Sequence, residues 1–341
     1  RVIESVLREL GHEVARFLPR LSFLADWEYV WRAGVKPDLI WVPCFRQRDL
    51  PAAGRYARRH QIPLVFDPLI SAYDKQVHER RKFAPDSAKA RRLLAWESQL
   101  FQQADWLIAD TAGHADYFAD ELGVARERLV VIPVGAEEAV FASQPWTAKP
   151  SDSPLELTFF GTFIGLQGVD VLAEAIRSYQ GPPVRWRLIG DGPMREACQA
   201  LLADLCIDGD GPGVVFEPWG PLLELPSRLA SSDAILGIFG SSEKARRVIP
   251  NKVYQGLAIG RPVITASTSA YPDSLRADDE HGVFWALPGD PGSIHEAVDR
   301  LFVQRQRLQD IGDAARSSYE LYFSNTVIRD RLCSLLMRVG V

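Results

Sequence analysis

Apolar positions in this chain gather into short dense runs rich in β-branched and aromatic residues, separated by longer stretches with helical spacing. In the first half the runs are DLIWVP (38–43), IPLVF (62–66), DWLIA (105–109) and RLVVIP (128–133). In the second half they are LELTFF (155–160), VRWRLIG (184–190), GVVFEP (213–218), AILGIF (234–239), PVITA (262–266) and GVFWAL (282–287). Such runs predict strands, and the stretches between them predict crossover helices, the longest of the first half within 86–104. Strand–helix alternation builds parallel sheets covered on both faces. The fold class expected is therefore α/β, with two doubly wound, Rossmann-like domains whose ligands bind at the carboxyl ends of the strands, in a cleft where the domains face each other.

A polar, Pro-rich break, SQPWTAKPSDSP (143–154), reads as the linker. It divides the chain into domains at 1–145 and 146–313, and a final helix, roughly 314–338 within 314–341, follows. The opening RVIESVLRELGHEV has a helical stripe, Val2, Val6, Leu7 and Leu10, that stops at Gly11. A doubly wound domain usually starts with a strand and a glycine-rich loop, so the first strand is expected to be missing from this chain.

One helix start is unusual. In RRVIPNKVYQGLAIGRPVIT (246–265), Pro250 suits the first helical position, Val253, Tyr254, Leu257 and Ala258 form one apolar stripe, and Gly260 ends it. Lys252 then sits on the first turn, at the positive end of the helix dipole. That placement makes sense if an anion such as a phosphate binds there. The alternative is a solvated lysine on a surface helix.

Composition narrows the class. The chain has 341 residues, 47% apolar and 24% charged, with a net charge of −5. That describes a globular protein with sizeable cores and no basic surface suited to nucleic acid. Cys44, Cys198, Cys206 and Cys333 lack metal-ligand or CxxC spacing and read as reduced thiols, which points to the cytoplasm. The apolar runs are too short to span a bilayer, and no secretory leader is expected.

The loops after the second-half strands carry the candidate chemistry. Gly161, Gly165 and Gly168 have a G-x3-G-x2-G spacing, unlike the dinucleotide fingerprint G-x-G-x-x-G, which argues against an NAD-dependent dehydrogenase. Gly190, Asp191, Gly192 and Pro193 make a tight turn before a helix. Trp219 is placed either to stack on a nucleobase or simply to pack. FGSSEKARRVIPNK collects Glu243, Lys244, Arg246, Arg247 and Lys252 at one loop-to-helix entry, a pattern that favours a phosphorylated ligand.

The ordered set FFGTFIGLQGVDVLAEAI, LIGDGPMREA, FEPWGPL and NKVYQGLAIGRPVITA resembles the donor domain of retaining GT-B glycosyltransferases, specifically glycosyltransferase family four. RLVVIPVGAEEAVF (128–141) resembles that family's passage into its hinge, and YFSNTVIRDRLCSLL its C-terminal helix, which crosses back onto the first domain. The resemblance implies a metal-independent enzyme that moves a sugar, with retention, from a UDP- or GDP-linked nucleotide-diphosphate sugar to a glycan, lipid-linked or other acceptor, as in polysaccharide biosynthesis, with no further cofactor. It implies donor contacts from Gly161, Thr162, Gln167, Gly190, Asp191, Gly192, Trp219, Arg246, Arg247, Ile249, Asn251, Lys252 and Gln255.

The departures are specific. Thr162 and Gln167 stand where the family usually has Arg and Lys. Gln255 stands in place of its second glutamate, and Glu243 is a poorly aligned candidate for the first. Lys252, with Arg246 or Arg247, is expected to supply the missing charge; lost activity, leaving a nucleotide-sugar-binding protein, is the alternative, and a sugar-nucleotide epimerase or hydrolase is the rival of the same fold. Asp67 stands where the family often places a catalytic-site His, either to orient a sugar hydroxyl or as an Asp-Pro turn residue. Asp208 and Asp210 precede a strand and read as a turn, so no metal is expected. Residues 75–92 hold seven Lys or Arg (Lys75, Arg80, Arg81, Lys82, Lys89, Arg91, Arg92) against Glu79 and Asp86. With Phe83 and Trp96 they predict peripheral contact with an anionic membrane, the inner face of the plasma membrane, or alternatively a solvated basic helix or a contact for a soluble anionic acceptor.

Overall fold

The computed structural model describes residues 2–32, 34–80 and 82–341. Two compact units result, Arg1–Pro133 with Ile328–Val341, and Val134–Val327.

In the first unit, strands β1 (Ile40–Val42), β2 (Leu64–Phe66), β3 (Trp106–Ala109) and β4 (Leu129–Val131) form a parallel sheet in chain order. Helices α1 (Val2–Glu9), α2 (Ala25–Arg32), α3 (Leu50–His60), α4 (Ala88–Phe101) and α5 (Ala112–Asp120) lie between and before them. The strands are short, but their side chains are apolar on both faces. One face packs Leu64, Phe66, Leu107 and Ala109 against Phe101 and Phe118. The other packs Val65, Ile108 and Ile132 against Val6 of α1 and against Ile328, Leu332 and Leu335 near the end of the chain.

In the second unit six parallel strands run β10-β9-β8-β5-β6-β7: β5 (Leu155–Phe160), β6 (Val184–Ile189), β7 (Gly213–Glu217), β8 (Ala234–Leu236), β9 (Val263–Ala266) and β10 (Val283–Ala286). Helices α6 (Val169–Ser178), α7 (Arg195–Leu201), α8 (Leu225–Leu229), α9 (Glu243–Arg247), α10 (Asn251–Ala258), α11 (Pro291–Val303) and α12 (Leu308–Tyr322) cover it. Counted within the unit, that is strand order 6-5-4-1-2-3, the Rossmann order, whose direction reverses between β5 and β8. Ligands of such sheets bind outside the strand ends at that reversal.

Three expectations change. The expected final helix is two helices: α12 stops at Tyr322, and α13 (Asn325–Val339) starts anew. Ser324 separates them, its hydroxyl accepting from the Val327 N–H at 3.4 Å. The Pro-rich stretch 143–154 is no free linker. Arg261, fully buried, donates to the carbonyls of Gln144 (3.1 Å) and Pro145 (2.8 Å), and its guanidinium lies 4.8 Å from the Trp146 ring centroid. Lys149 pairs with Asp233 at 2.9 Å, so the stretch is tied to the second unit throughout. Pro250 caps α10 from an extended conformation (φ −74°, ψ 151°) and Asn251 begins the helix.

Candidate functional site

The loop after β5, residues 161–168, lies at the reversal between β5 and β8, and its neighbours hold it by backbone contact. Phe163 N–H donates to Asp191 O (2.9 Å), and Phe239 N–H donates to Gln167 O (3.0 Å). The glycines are what permit this. A Cβ on Gly190 would stand 2.0 Å from Gly161 O, and one on Gly168 (φ 65°) would stand 2.3 Å from Gly240 N. Both are impossible contacts, so these glycines serve loop-against-loop packing.

Lys252 reaches into this loop. It is 4% exposed, which removes the solvated-lysine alternative. Its Nζ donates to Gln167 Oε1 and lies 3.6 Å from the Phe159 ring centroid. A Cβ on Gly161 would come within 2.9 Å of the same Nζ. No carboxylate pairs with it among the described residues. Desolvation by burial holds its pKa well below the usual lysine value. The amide oxygen and the ring face partly solvate an ammonium, but neither neutralises it. An anion arriving at the start of α10 would meet this charge together with the free N–H groups of the first turn.

The other expected contacts divide. Thr162, Asn251 and Asp191 are exposed at the same strand ends, and the Asp191 carboxylate accepts from Gly192 N–H at 2.7 Å. Gln255 is partly exposed on α10. Ile249 is buried in the core with Val253 and Tyr254, where its side chain packs. Glu243 and Arg246 are both exposed on the short helix α9, 4.0 Å apart, and Lys244 beside them is buried. Trp219 is exposed beyond β7, the edge strand two places from β5, and no hydrogen bond or ring contact joins it to the Lys252 group among the described residues. Asp208 and Asp210 sit in an exposed turn, where Asp210 pairs with Arg185 at 2.5 Å.

The first unit holds a second group. Asp67 follows β2, and its N–H donates to Val42 O at 2.9 Å, extending the β1–β2 ladder. Desolvation first, and the charge of Asp110 second, push its carboxyl up to about 7, against a smaller lowering by the Trp41 hydrogen bond. Asp110 directly follows β3 and is hydrogen-bonded to His114 Nδ1 on α5. Both are buried, and Thr111 caps the helix by accepting from His114 N–H at 3.1 Å. Asp110 and His114 escaped the reading of the sequence. The signal was present in ADTAGHA, a carboxylate at a strand end followed by a capping Thr and a His three residues on.

The loop beyond Asp67 is anchored by Glu97, which is fully buried. It accepts from Ser71 Oγ (2.6 Å), Ala72 N–H (2.5 Å) and Tyr73 N–H (2.8 Å). In the basic stretch 75–92, Lys82 and Lys89 flank the Phe83 ring at 5.8 and 5.9 Å, and Arg91 and Arg92 are exposed on α4. Arg81 lies outside the described residues.

Two parallel-sheet units in one chain, the second in Rossmann strand order, are the architecture of the GT-B class. Residues 5–135 match the family model of a Glycosyl transferase 4-like domain, and residues 154–304 that of Glycosyl transferases group 1. By these matches the chain carries a Glycosyl transferase 4-like domain followed by a Glycosyl transferases group 1 domain. It is 27% identical over 253 residues to a protein named as a colanic acid biosynthesis glycosyltransferase, WcaL of Escherichia coli (strain K12), covering 70% of this chain and 58% of that one. It is 27% identical over 301 residues to the D-inositol 3-phosphate glycosyltransferase of Acidothermus cellulolyticus (strain ATCC 43068 / DSM 8971 / 11B), covering 80% of this chain and 62% of that one. The chain thus spans less than two thirds of the length of either relative. Among solved structures it resembles Anabaena Alr3699/HepE in complex with UDP, with a TM-score of 0.71, 16% identity, and coverage of 98% of this chain and 89% of the other.

Proposed function

We propose that this chain is a glycosyltransferase that binds a nucleotide-diphosphate sugar on its second unit and transfers the sugar, with retention and without a metal, to a glycan or lipid-linked acceptor. The observation that carries the reading is Lys252, a buried lysine at the β5–β8 reversal with no carboxylate partner among the described residues. A diphosphate there would accept from Lys252 Nζ and from the N–H groups at the start of α10, replacing interactions that leave the charge uncompensated. UDP is the first nucleotide to test, because the similar HepE structure is described as a complex with UDP.

In the reaction proposed, an acceptor hydroxyl attacks the anomeric carbon while the bond from that carbon to the diphosphate oxygen breaks. The electron pair leaves with the diphosphate, and the hydroxyl proton passes to a phosphate oxygen of the leaving group. Lys252 stabilises the charge that develops on that diphosphate. Asp67, with a carboxyl near neutrality in its titration, would donate or accept a hydrogen bond at a sugar hydroxyl.

The test is a thermal-shift panel of nucleoside diphosphates and sugar nucleotides on the wild type and Lys252→Ala, followed by nucleotide release with and without acceptors. The reading expects a diphosphate to raise the melting temperature of the wild type, and Lys252→Ala to lose binding by about tenfold or more, the scale of a charge-assisted hydrogen bond. A nucleotide that binds without any turnover would leave a binding protein. Turnover without acceptor would point to a hydrolase or epimerase.

A further inference from the structure

A cavity of about 190 Å³ lies at the amino end of the second unit's sheet, where Leu155 opens β5 and Asp233 directly precedes β8. The Lys252 loop is at the other end of β5, whose six residues at about 3.3 Å each put about 20 Å between the two. Pockets for drug-sized ligands start at about 300 Å³, so this one suits a smaller molecule than a nucleotide sugar. Its walls include Trp146, Thr147, Lys149, Asp233, Arg305 and Gln309.

Positive charge outweighs negative there. Arg305 donates to Ser153 O (2.9 Å), and its guanidinium lies 5.0 Å from the Phe302 ring centroid. No carboxylate pairs with it among the described residues, and its other N–H groups have no acceptor among them. Lys149 donates to Asp233 Oδ2 at 2.9 Å, and Glu156 N–H donates to the same oxygen at 2.7 Å. Asp233 Oδ1 is left without a donor among those residues. Arg261 stands behind Trp146, 4.8 Å from its ring centroid. Three cations thus stand at or behind this wall against one carboxylate.

The wall is also held in place. Arg261 fastens Gln144 and Pro145, Lys149 is tied to Asp233, and Arg305 holds Ser153, so residues 144–153 are fixed along their length. Between those points the hydroxyls of Thr147 and Ser151 line the cavity and make no hydrogen bond among the described residues. Leu308 and Gln309 begin α12, which no side chain caps, and its first-turn N–H groups add partial positive charge. A wall already fixed in shape loses little freedom on capturing a ligand. A guanidinium, an ammonium and hydroxyls converging from several sides match the oxygens of a phosphate better than the planar pair of a carboxylate.

We propose that this cavity is a second anion site, which binds a free phosphate group through Arg305 and Lys149 while a ligand O–H donates to Asp233 Oδ1. The site is separate from the nucleotide site, and nothing in it depends on the donor reading. Inorganic phosphate, glycerol 3-phosphate, acetate and glycerol are titrated calorimetrically into the full chain, with the nucleotide thermal shift measured in parallel. At least one of the two phosphates is expected to bind, at least about tenfold more tightly than acetate, and glycerol not at all, because charge-assisted contacts carry the affinity. The tighter of the two phosphates shows whether the site takes the free ion or a small monoester. Arg305→Ala should weaken phosphate binding at least about tenfold and keep the nucleotide shift. Thr147→Glu changes an exposed residue of the wall, so folding is spared, and should weaken binding by placing a negative charge beside the phosphate. Lys252→Ala should leave phosphate binding intact. The proposal is overturned if neither phosphate binds, if acetate binds as tightly, or if binding survives both Arg305→Ala and Thr147→Glu. It is equally overturned if Lys252→Ala abolishes binding, which would put the phosphate in the nucleotide site. A failed nucleotide shift beside intact phosphate binding would support this site and count against the donor reading alone.

Discussion

Lys252 and Asp67 are both ionisable groups whose charged forms burial makes costly. Asp67 has its carboxyl raised from 3.8 to about 7. Between about pH 4 and 7 the folded form keeps a proton that the unfolded chain has lost, so this group makes stability fall as pH rises through that window and level off above it. Asp67→Asn removes the slope. The variant should therefore gain stability relative to wild type between about pH 5 and 8, read from urea midpoints, while sugar transfer drops. A constant difference across those pH values would show that Asp67 titrates normally. Of these two residues, Lys252 was readable because a lysine at the positive end of a helix is anomalous along the chain itself. The spacing of the Asp110–His114 pair was present in ADTAGHA, but its approach to Asp67, some forty residues away, was not legible, because only the pairing of β2 with β3 brings them together.

At the scale of elements, every strand was legible, since each is a dense apolar run buried in a parallel sheet. The doubly wound, Rossmann-like class was legible in their alternation with helices, whereas the order of the strands was not, because crossover direction leaves no mark on the runs. The glycine loops were seen, but their packing purpose was not legible: their partners are backbone atoms of loops that are distant in sequence. Gly168→Ala tests that purpose. Its φ of 65° and a Cβ 2.3 Å from Gly240 N predict a loss of more than about 1 kcal/mol in urea unfolding, together with weaker nucleotide binding as the loop shifts. The same loop offers a relocation test. Lys252 Nζ meets Gln167 Oε1, so a lysine at 167 can bring its ammonium to the same region. In a Lys252→Met background, Gln167→Lys is expected to restore part of the lost nucleotide affinity by titration. No recovery would mean that the α10 start, and not the local charge alone, is required.

For the molecule as a whole, two sheets were legible but the boundary between units was not. Proline content marked 143–154 as a linker, whereas Arg261, to which the sequence analysis assigned nothing, holds that stretch in place from more than a hundred positions away. The last helix divides at Ser324, and from Ile328 onward it completes the core of the first unit. Leu332→Ala should therefore cost about 2–5 kcal/mol in that unit. Hydrogen exchange should show lost protection in β2 and β3, with β5 and β6 unchanged; equal loss in both sheets would contradict this division of the chain.

The most direct measurement for the central claim is denaturant unfolding of the wild type and Lys252→Met, each with and without saturating UDP or GDP. Without nucleotide, removing an uncompensated buried ammonium should leave the protein at least as stable as wild type, the mark of a residue kept for binding at the expense of folding. With nucleotide at about a hundred times its Kd, the wild type should gain about 2.7 kcal/mol and Lys252→Met far less. If neither nucleotide stabilises the wild type, or one stabilises both proteins equally, Lys252 is not the diphosphate contact and the donor site lies elsewhere.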